Sequence, residues 1–363
     1  MTCSSYQVLY NESLLSIIYK FSGEVTILNI NPHINKIKKN ILIIHLDRIK
    51  SFQYYEDEGY RVFINSLVKD TKTQLNIHLE FKCLRNKNFN VYDNGLKNLK
   101  NLNYLDLTNN EHISDANALY TCRFLILRKC RSISNVNSLG SLHYLDLSYC
   151  GLVTNISMLG NLDTLILIGC LGIEDFSLLG RVRHLNLSNT KINNTNDLGN
   201  VNILILNDCK NLDDISSLMM NKQLKEVAII GNKNISDVSS LCNVPTVRIG
   251  GIPKLIDISA LKQINKLVIM DCDLITDITS LSKIPKLKLI NLVNLLDISS
   301  LGDHDELLIY KCGHNLEQAQ FRQVTHLSKV RNWLVIGIEM VRHDTNIINF
   351  LRGKVKDFEV LNI

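Results

Sequence analysis

The stretch N-K-L-V-I-M-D-C-D-L-I-T-D-I-T-S-L, residues 265–281, decides the fold because versions of it recur along most of the chain. When the copies are aligned on Leu267, successive anchors are 20 residues apart, except for one step of 19 and one of 23. The anchors are Leu105, Leu125, Leu145, Leu165, Leu185, Leu204, Val227, Val247, Leu267, Leu287 and Leu307. A fixed period of roughly 20 to 50 residues indicates a solenoid of stacked repeats rather than a closed globule.

Each copy contains one short segment with the alternation of a β-strand, such as Leu267-Val268-Ile269. Stacked copies would place neighbouring strands about 4.8 Å apart in one parallel sheet, with the anchor side chains buried against each other. The few residues left between strands suit a single helical or 3-10 turn rather than a long helix. The predicted fold class is therefore an α/β solenoid with a parallel sheet on one side and short turns on the other.

A second column lies five residues after each anchor and is rich in cysteine. Six of the ten cysteines fall in it: Cys130, Cys150, Cys170, Cys209, Cys272 and Cys312. Free cysteine behaves as a small, buried, weakly polar residue, so these thiols are predicted to be structural. Metal binding and disulfides are the alternatives, because stacking brings Cys130, Cys150 and Cys170 close together. The C-x-x-C pairs typical of zinc sites are missing from the sequence.

A third column holds only aspartate or asparagine. Its members are Asp115, Asn135, Asn155, Asp175, Asn194, Asp214, Asp237, Asp257, Asp277 and Asp297. A short Asx side chain can accept a backbone N–H two or three residues ahead, which starts a turn or caps a helical turn. The alternative is a row of calcium-binding or catalytic carboxylates, but each copy supplies one acid without a second ligand beside it.

The pattern L-x-x-L-x-L-x-x-C/N-x-x-I-x-D-I-S-x-L resembles the leucine-rich repeat over about residues 102–315. Its D-I-S-x-L phrase is similar to the short repeats of bacterial internalins and their eukaryotic relatives, and its cysteines are similar to cysteine-containing repeats. The resemblance implies a horseshoe with the parallel sheet on its concave face. It also implies recognition of a protein through that face.

Residues that flank the buried anchors should point outward from the concave face. Contiguous exposed apolar residues usually mark a contact site. The partner-binding residues predicted on this basis are Tyr104, Phe124, Tyr144, Ile126, Ile166, Ile168, Arg248 and Met270. The alternative is that β-branched and aromatic residues are simply favoured in strands.

The first residues of the chain do not follow the repeat. Residues 11–22 and 24–36 have the apolar spacing of two short amphipathic helices. Together they resemble a degenerate F-box without its usual Leu-Pro start, which implies a Skp-family adaptor of a cullin-type ubiquitin ligase. The adaptor-binding residues would be Leu14, Leu15, Ile18 and Phe21. The alternative is a helical cap over the first repeat.

The sequence therefore predicts four regions. Residues 1–38 are helical, residues 39–101 are irregular leading repeats or a cap, residues 102–315 are the solenoid, and residues 316–363 are a C-terminal cap. Strands are predicted at residues 41–46, 75–79, 333–340 and 358–363, and helices at residues 55–68 and 316–331. The spacing of 33 residues between Leu42 and Leu75 would suit longer leading repeats.

Composition narrows the function further. A net charge of +5 over 363 residues is too mild to indicate a nucleic-acid partner. No apolar run is long enough for a membrane span, and the N-terminus has Asn11 and Glu12 where a signal peptide would be apolar. We therefore expect an intracellular protein, and the Asn- and Ile-rich composition resembles repeat families of large DNA viruses, which would place it in the host cytoplasm.

No nucleotide-binding loop, metalloprotease helix or nucleophile elbow occurs, and no cofactor or metal is predicted. His304, between Asp303 and Asp305, is predicted to lie in a surface turn. The sequence favours a non-enzymatic scaffold for protein–protein interaction. The alternatives are an F-box-like substrate receptor and an enzyme hidden in the terminal regions.

Overall fold

The computed structural model describes residues 26–29, 40–66, 73–81, 91–295, 297–313, 326–337 and 345–361. The chain divides into two compact units, residues 1–173 and residues 174–363. Both units consist of short strands that pair with their neighbours in sequence order, joined by short turns.

Unit 1, residues 1–173, contains a sheet that is parallel apart from its first pair. Strand β1 runs antiparallel to β2, and every later described pair within the unit is parallel. The strands are β1 Thr26–Asn29, β2 Asn40–Leu46, β3 Thr73–Glu80, β4 Tyr104–Asp106, β5 Phe124–Ile126, β6 Tyr144–Asp146 and β7 Thr164–Ile166.

Unit 2, residues 174–363, contains a sheet whose described strand pairs are all parallel. The strands are β8 His184–Asn186, β9 Ile203–Ile205, β10 Glu226–Ile230, β11 Thr246–Gly250, β12 Lys266–Met270, β13 Lys286–Ile290, β14 Glu306–Tyr310, β15 Trp333–Gly337 and β16 Asp357–Val360.

The anchors of the repeat form the centre of each core, as predicted. Leu105, Leu125, Leu145 and Leu165 pair in register across β4 to β7 in unit 1. Every anchor from Leu105 to Leu307 has an exposed fraction of 0% or 1%. Register follows from this burial, because a slip of one residue would turn each anchor towards solvent.

Short 3-10 turns occupy the side opposite the strands, which confirms the turn prediction. In unit 1 they are Asp93–Leu99, Asn117–Leu119, Leu139–Ser141 and Ser157–Leu159. In unit 2 they are Ser177–Arg181, Ser216–Met220, Ser239–Leu241, Ser259–Gln263, Thr279–Leu281 and His326–Lys329. Each turn carries a buried leucine, such as Leu159 or Leu281, that closes the core of its repeat.

The leading region forms strands and helices close to the predicted positions. Leu42 pairs with Leu75 across β2 and β3, as their spacing suggested. The predicted helix over 55–68 corresponds to α2 Glu58–Asn65, and another helix that was not predicted, α1 Arg48–Glu56, ends directly before it at Asp57. Asp57 separates the two helices because its carboxylate accepts the Tyr60 N–H at 3.0 Å and so caps α2.

The last residues add to the sheet of unit 2. Strands β15 and β16 continue the parallel pairing of β14, so the sheet extends beyond residue 315. Helix α3, Thr345–Arg352, lies between them in sequence. Of the helix predicted over 316–331, residues 316–325 lie outside the described residues, and a 3-10 turn at His326–Lys329 occupies part of the rest.

The prediction of a second N-terminal helix over residues 24–36 is wrong where the structure describes it. Thr26–Asn29 is strand β1, and its backbone pairs with the edge of β2. A short apolar run cannot be assigned to helix or strand from periodicity alone, and the open edge of β2 offers backbone partners to a strand. The predicted helix over residues 11–22, with Leu14, Leu15, Ile18 and Phe21, lies outside the described residues.

Among the described residues, no helix is both long and apolar enough to cross a membrane.

Candidate binding surface

Three aromatic side chains form a row across adjacent strands of unit 1. Tyr104, Phe124 and Tyr144 are the first residues of β4, β5 and β6, and they pair directly in register. The rings of Phe124 and Tyr144 have centroids 6.2 Å apart and planes inclined by 33°. We call these three residues the aromatic row.

The aromatic row is partly exposed, while the residues that follow its members in sequence are buried. All three aromatic residues have intermediate exposure, whereas Leu105, Leu125 and Leu145 are fully buried. Alternation along each strand turns the anchors into the core and the aromatic rings to the outer face of the sheet. The sequence-based prediction of where these three residues lie agrees with the structure.

Cationic and polar groups surround the middle of the aromatic row. The Arg123 guanidinium carbon lies 5.5 Å from the centroid of the Phe124 ring, and the His143 ring lies 5.3 Å from it, edge to face. Burial, and after it the charge of Asp146, raises the pKa of Tyr144 to about 12. The Tyr144 phenol therefore stays protonated at neutral pH and can donate a hydrogen bond.

The aliphatic residues predicted to extend this surface are partly exposed but not contiguous. Ile126 lies on β5, Ile166 on β7 and Ile168 just after β7, each with intermediate exposure. Asp146 on β6 pairs with both Ile126 and Ile166 and separates them. The structure therefore brings the aromatic row together, whereas Asp146 separates Ile126 from Ile166 and Ile168.

Asp106 and Asp146 follow the anchors of β4 and β6 and pair with Ile126 and Ile166 on the outer face of the sheet, but they are buried rather than exposed. They are 3% and 1% exposed. The Asp146 carboxylate accepts hydrogen bonds from the Ser148 N–H at 2.8 Å and the Ser148 hydroxyl, and Asp106 binds Thr108 in the same way. Each carboxylate folds back over the turn that follows its strand. There it accepts the backbone N–H of Ser148 or Thr108, and this position removes it from solvent.

The L-D-L-T and L-D-L-S phrases at residues 105–108 and 145–148 carried the signal for this arrangement. An aspartate two residues before a serine or threonine at a strand end predicts a side-chain-to-backbone turn. Arg128 adds an ion pair, with its Nη2 at 3.0 Å from Asp146 Oδ2. The acidic positions therefore stiffen the strand ends, and Arg128 remains 46% exposed beside them.

The other two predicted partner-binding residues lie in unit 2 and also have intermediate exposure. Arg248 on β11 forms an ion pair with Glu226 on β10, with Nη1 at 2.7 Å from Oε1. Met270 on β12 lies across Gly250, where a β-carbon would collide with the methionine side chain. Arg248 and Met270 thus have defined neighbours within the sheet of unit 2.

The Asx column performs the predicted turn-forming role in every copy. Each of the ten side chains accepts the backbone N–H two residues ahead, at distances from 2.7 to 3.4 Å. Hydrogen bonds from Ser177, Ser216, Ser259 and Thr279 lower the pKa of Asp175, Asp214, Asp257 and Asp277 respectively. These carboxylates serve the turns of the repeat.

The cysteine column also has the predicted structural role. The thiols of Cys130, Cys150 and Cys170 donate to the carbonyl oxygens of Leu107, Leu127 and Leu147 at 3.0, 3.0 and 2.9 Å. Thr190 donates to Leu187 O at 2.7 Å from the same column. All described cysteines are free thiols, and the described residues contain no group of side chains arranged to hold a metal ion.

A fourth column was missed from the sequence. The residue four positions after each anchor has a left-handed backbone, with φ between 51° and 77°. Its members are Asn109, Lys129, Tyr149, Gly169, Asn189, Asp208, Gly231, Gly251, Asp271, Asn291 and Lys311. The abundance of Gly, Asn and Asp at this position was the available signal, since these residues tolerate a positive φ best.

His304 is buried in the core of unit 2 and not in a surface turn as predicted. It occupies the position three residues before the anchor, where Ile284 lies in the preceding repeat, and it is 0% exposed. Its Nδ1 is 2.6 Å from Ile284 O, which favours a proton on Nδ1. Burial lowers the pKa of His304, so the ring is neutral at neutral pH.

Comparison with solved structures identifies the fold. An internalin, InlF, from Listeria monocytogenes superposes with a TM-score of 0.57 at 20% identity, over 75% of this chain and 84% of that chain. A leucine-rich repeat protein from Leptospira interrogans gives a TM-score of 0.47 at 16% identity, over 79% of this chain and 84% of that one. The internalin match, together with the pairing of successive strands described above, shows that the fold of this chain is a leucine-rich repeat solenoid.

Sequence comparison adds no closer relationship. No protein-family profile matches the chain, and no curated protein matches it significantly. The likeness to the internalin, at 20% identity, concerns the fold alone.

Proposed function

We propose that this chain is a non-enzymatic scaffold that binds a protein partner through the outer face of the sheet in unit 1. The observation that carries the proposal is the aromatic row, Tyr104, Phe124 and Tyr144, held in register and partly exposed. Aromatic and arginine side chains are enriched at the centres of protein interfaces. Arg123 and Arg128 lie beside the row and would supply polar contacts around it.

Rigidity supports the same proposal. The rings start strands whose next residues are fully buried anchors, so the backbone beneath the row is fixed before any partner arrives. Binding to a preorganised surface avoids much of the entropy lost when flexible side chains become ordered. Ile126, Ile166 and Ile168 in unit 1, and Arg248 and Met270 in unit 2, are proposed as further partner-binding residues.

The competing explanation is that aromatic residues occupy these positions only because they suit a strand. The two explanations differ in what happens when apolar surface is removed. A full chain carrying Phe124→Ser and Ile166→Ser should keep its fold but bind its partner less well. If Phe124 is an interface hot spot, the loss is about 2 kcal/mol, roughly thirtyfold in Kd.

A photo-crosslinking phenylalanine analogue at position 124 would identify the partner, and its Kd would then be measured with each variant. The matched control is Leu152→Ser with Met158→Ser, because both side chains are 58% exposed and lie outside the strands. Weaker binding by the Phe124 and Ile166 variant alone supports the proposal. Equal binding by the wild-type chain and this variant, with circular dichroism unchanged, refutes it.

The F-box-like alternative rests on sequence resemblance. Leu14, Leu15, Ile18 and Phe21 lie outside the described residues, and strand β1 replaces part of the second helix that the motif requires. No observation favours it over the scaffold. Recovery of a Skp-family adaptor with the full chain, but not with a chain lacking residues 1–38, would reinstate it.

The proposed setting of the scaffold is intracellular. Its support is the column of buried free thiols, which suits a reducing compartment, where disulfides are rare. A viral origin, and with it the host cytoplasm, rests on composition alone.

A further inference from the structure

Unit 2 contains a shallow cavity of about 930 Å³ near the start of four consecutive strands. Its walls come from the residues that precede or begin β8, β9, β10 and β11, including Arg183, Asn202, Lys225 and Thr246. The volume falls in the range of roughly 300 to 1,000 Å³ typical of ligand pockets. None of the predicted partner-binding residues lines it.

The cavity lies beside the one insertion in the repeat. The step from Leu204 to Val227 is 23 residues, and the three extra residues fall between Leu218 and Leu224, directly before β10. Asn221 fixes this insertion, because its Nδ2 donates to Leu198 O at 2.8 Å and to Val201 O at 2.9 Å. Its Oδ1 accepts the N–H of Gln223, which lines the cavity, at 2.9 Å.

The charge of the lining is positive. Arg181, Arg183 and Lys225 are exposed cationic side chains, and Glu226 is the one acid among the described lining residues. The Glu226 carboxylate is already paired with Arg248, which is outside the lining, at 2.7 Å. Arg181 and Lys225 form no ion pair with any residue that the structure describes.

We infer that this cavity binds an acidic peptide segment, with Arg181 and Lys225 contacting Asp or Glu side chains. Guanidinium groups bind carboxylates through paired hydrogen bonds, and a fixed polar wall limits the reorganisation that binding requires. A single-stranded nucleic acid would also bring negative charge, but such ligands are usually held by stacking on aromatic side chains. Among the described lining residues none is Phe, Tyr or Trp, and His184 supplies the only aromatic ring.

This inference rests on the proposed scaffold function and adds an acidic peptide as a ligand. The cavity in unit 2 is a different site from the aromatic row in unit 1, so either proposal can fail without the other. The probe is a fluorescein-labelled hexaglutamate peptide, titrated with the full chain at about 0.15 M salt, where the Debye length is about 8 Å, and followed by fluorescence anisotropy. Hexaglutamine and hexathymidylate are the comparison ligands. The test variant is Arg181→Gln with Lys225→Gln, and the charge-matched control is Lys254→Gln with Lys262→Gln, exposed lysines of unit 2 outside the cavity.

The wild-type chain should bind hexaglutamate and not hexaglutamine. The test variant should bind hexaglutamate at least about tenfold more weakly, since one lost charge-assisted contact corresponds to about a tenfold change in Kd. The control variant should stay within about twofold, because charges beyond a Debye length are largely screened. The Phe124 and Ile166 variant should bind the probe like the wild-type chain.

Three results would overturn the inference. The first is no binding of hexaglutamate, and the second is equal weakening in the test and control variants, which would indicate only the general charge of the chain. The third is tighter binding of hexathymidylate that depends on Arg181 and Lys225, which would assign the cavity to nucleic acid.

Discussion

The thiols of the cysteine column in unit 1 are predicted to resist alkylation as long as the chain is folded. Burial raises the pKa of Cys130 and of Cys170 from 9.0 to about 12. At pH 8 a thiol with a pKa of 9.0 is about one-tenth ionised, whereas a thiol with a pKa of 12 is ionised in about one molecule in ten thousand. Because the thiolate is the nucleophile, alkylation should be about a thousandfold slower.

Burial also slows the reaction directly, because the same thiols are 0% exposed and a reagent must reach them. Cys242 supplies an internal reference, since it is the one described cysteine that is not buried. The assay is iodoacetamide labelling at pH 8 with quantification of each cysteine-containing peptide by mass spectrometry. Cys242 should be labelled in the folded chain, and Cys130 and Cys170 only after urea is added.

Two outcomes would refute the reasoning. Labelling of Cys130 or Cys170 at a rate near that of Cys242 would show that the column is open to solvent. Protection of these thiols that disappears with a chelator or a reductant would instead indicate a metal ion or a disulfide. Either result would remove the structural role assigned to the hydrogen bonds from the thiols to Leu107 O and Leu147 O.

Three further predictions concern stability, each measured by urea unfolding. Acid should destabilise the chain as the pH falls below about 4, because carboxylates with a lowered pKa contribute stability above their ordinary value of 3.8 and lose it on protonation. A variant with Asn in place of Asp175, Asp214, Asp257 and Asp277 keeps the turn acceptors without the charge. It should therefore lose less stability than the wild-type chain between about pH 5 and about pH 2. The same pH profile for both chains would contradict this reasoning. Gly251→Ala should lower the free energy of unfolding by about 1 kcal/mol, because φ is +57° at this position. Gly199→Ala is the control and should lower it less, because a β-carbon there would meet open space. Equal losses in the two variants would contradict the role of φ. Asp146→Ala should cost about 1–3 kcal/mol because it leaves the buried Ser148 N–H without its acceptor, and a loss below about 0.5 kcal/mol would mean that water replaces the carboxylate.

The sequence predicted those parts of the fold that depend on contacts repeated from copy to copy. Leu145, Cys150 and Asn155 each have the same local role as their equivalents in neighbouring repeats, so the period identifies them together. The aromatic row follows from the same logic, because Tyr104, Phe124 and Tyr144 precede three consecutive anchors. The period thus fixes both the core positions and the outward positions next to them.

Features that belong to one repeat were harder to predict. His304 replaces an aliphatic residue in the buried column, and only its place in the period, three residues before Leu307, could have indicated burial. Strand alternation places Asp146 on the outer face but does not indicate its burial, which depends on the hydrogen bonds that its carboxylate accepts from Ser148. Strand β1 was missed because it lies outside the period, where its short apolar run fits a helix as well as a strand.

The two irregular steps of the repeat show where the solenoid tolerates change. The 19-residue step loses its residue after Thr190, in the turn that follows β8, and Ile192 and Leu198 are still buried at 2% exposure. The 23-residue step instead adds residues before β10, yet β9 and β10 keep the same anchor register. Both changes preserve the core because the apolar positions realign within one turn.

The two changes differ in what they leave at the surface. The deletion adds no new side chain, whereas the insertion adds Asn221, whose buried amide bonds to two carbonyls of the preceding repeat. A buried amide with these partners fixes the added segment, so Gln223 and Lys225 next to it gain a defined position at the cavity. The deletion only shortens a turn, whereas the insertion brings its own hydrogen bonds. An insertion of this kind is therefore the place in this solenoid where a specific binding site can be built.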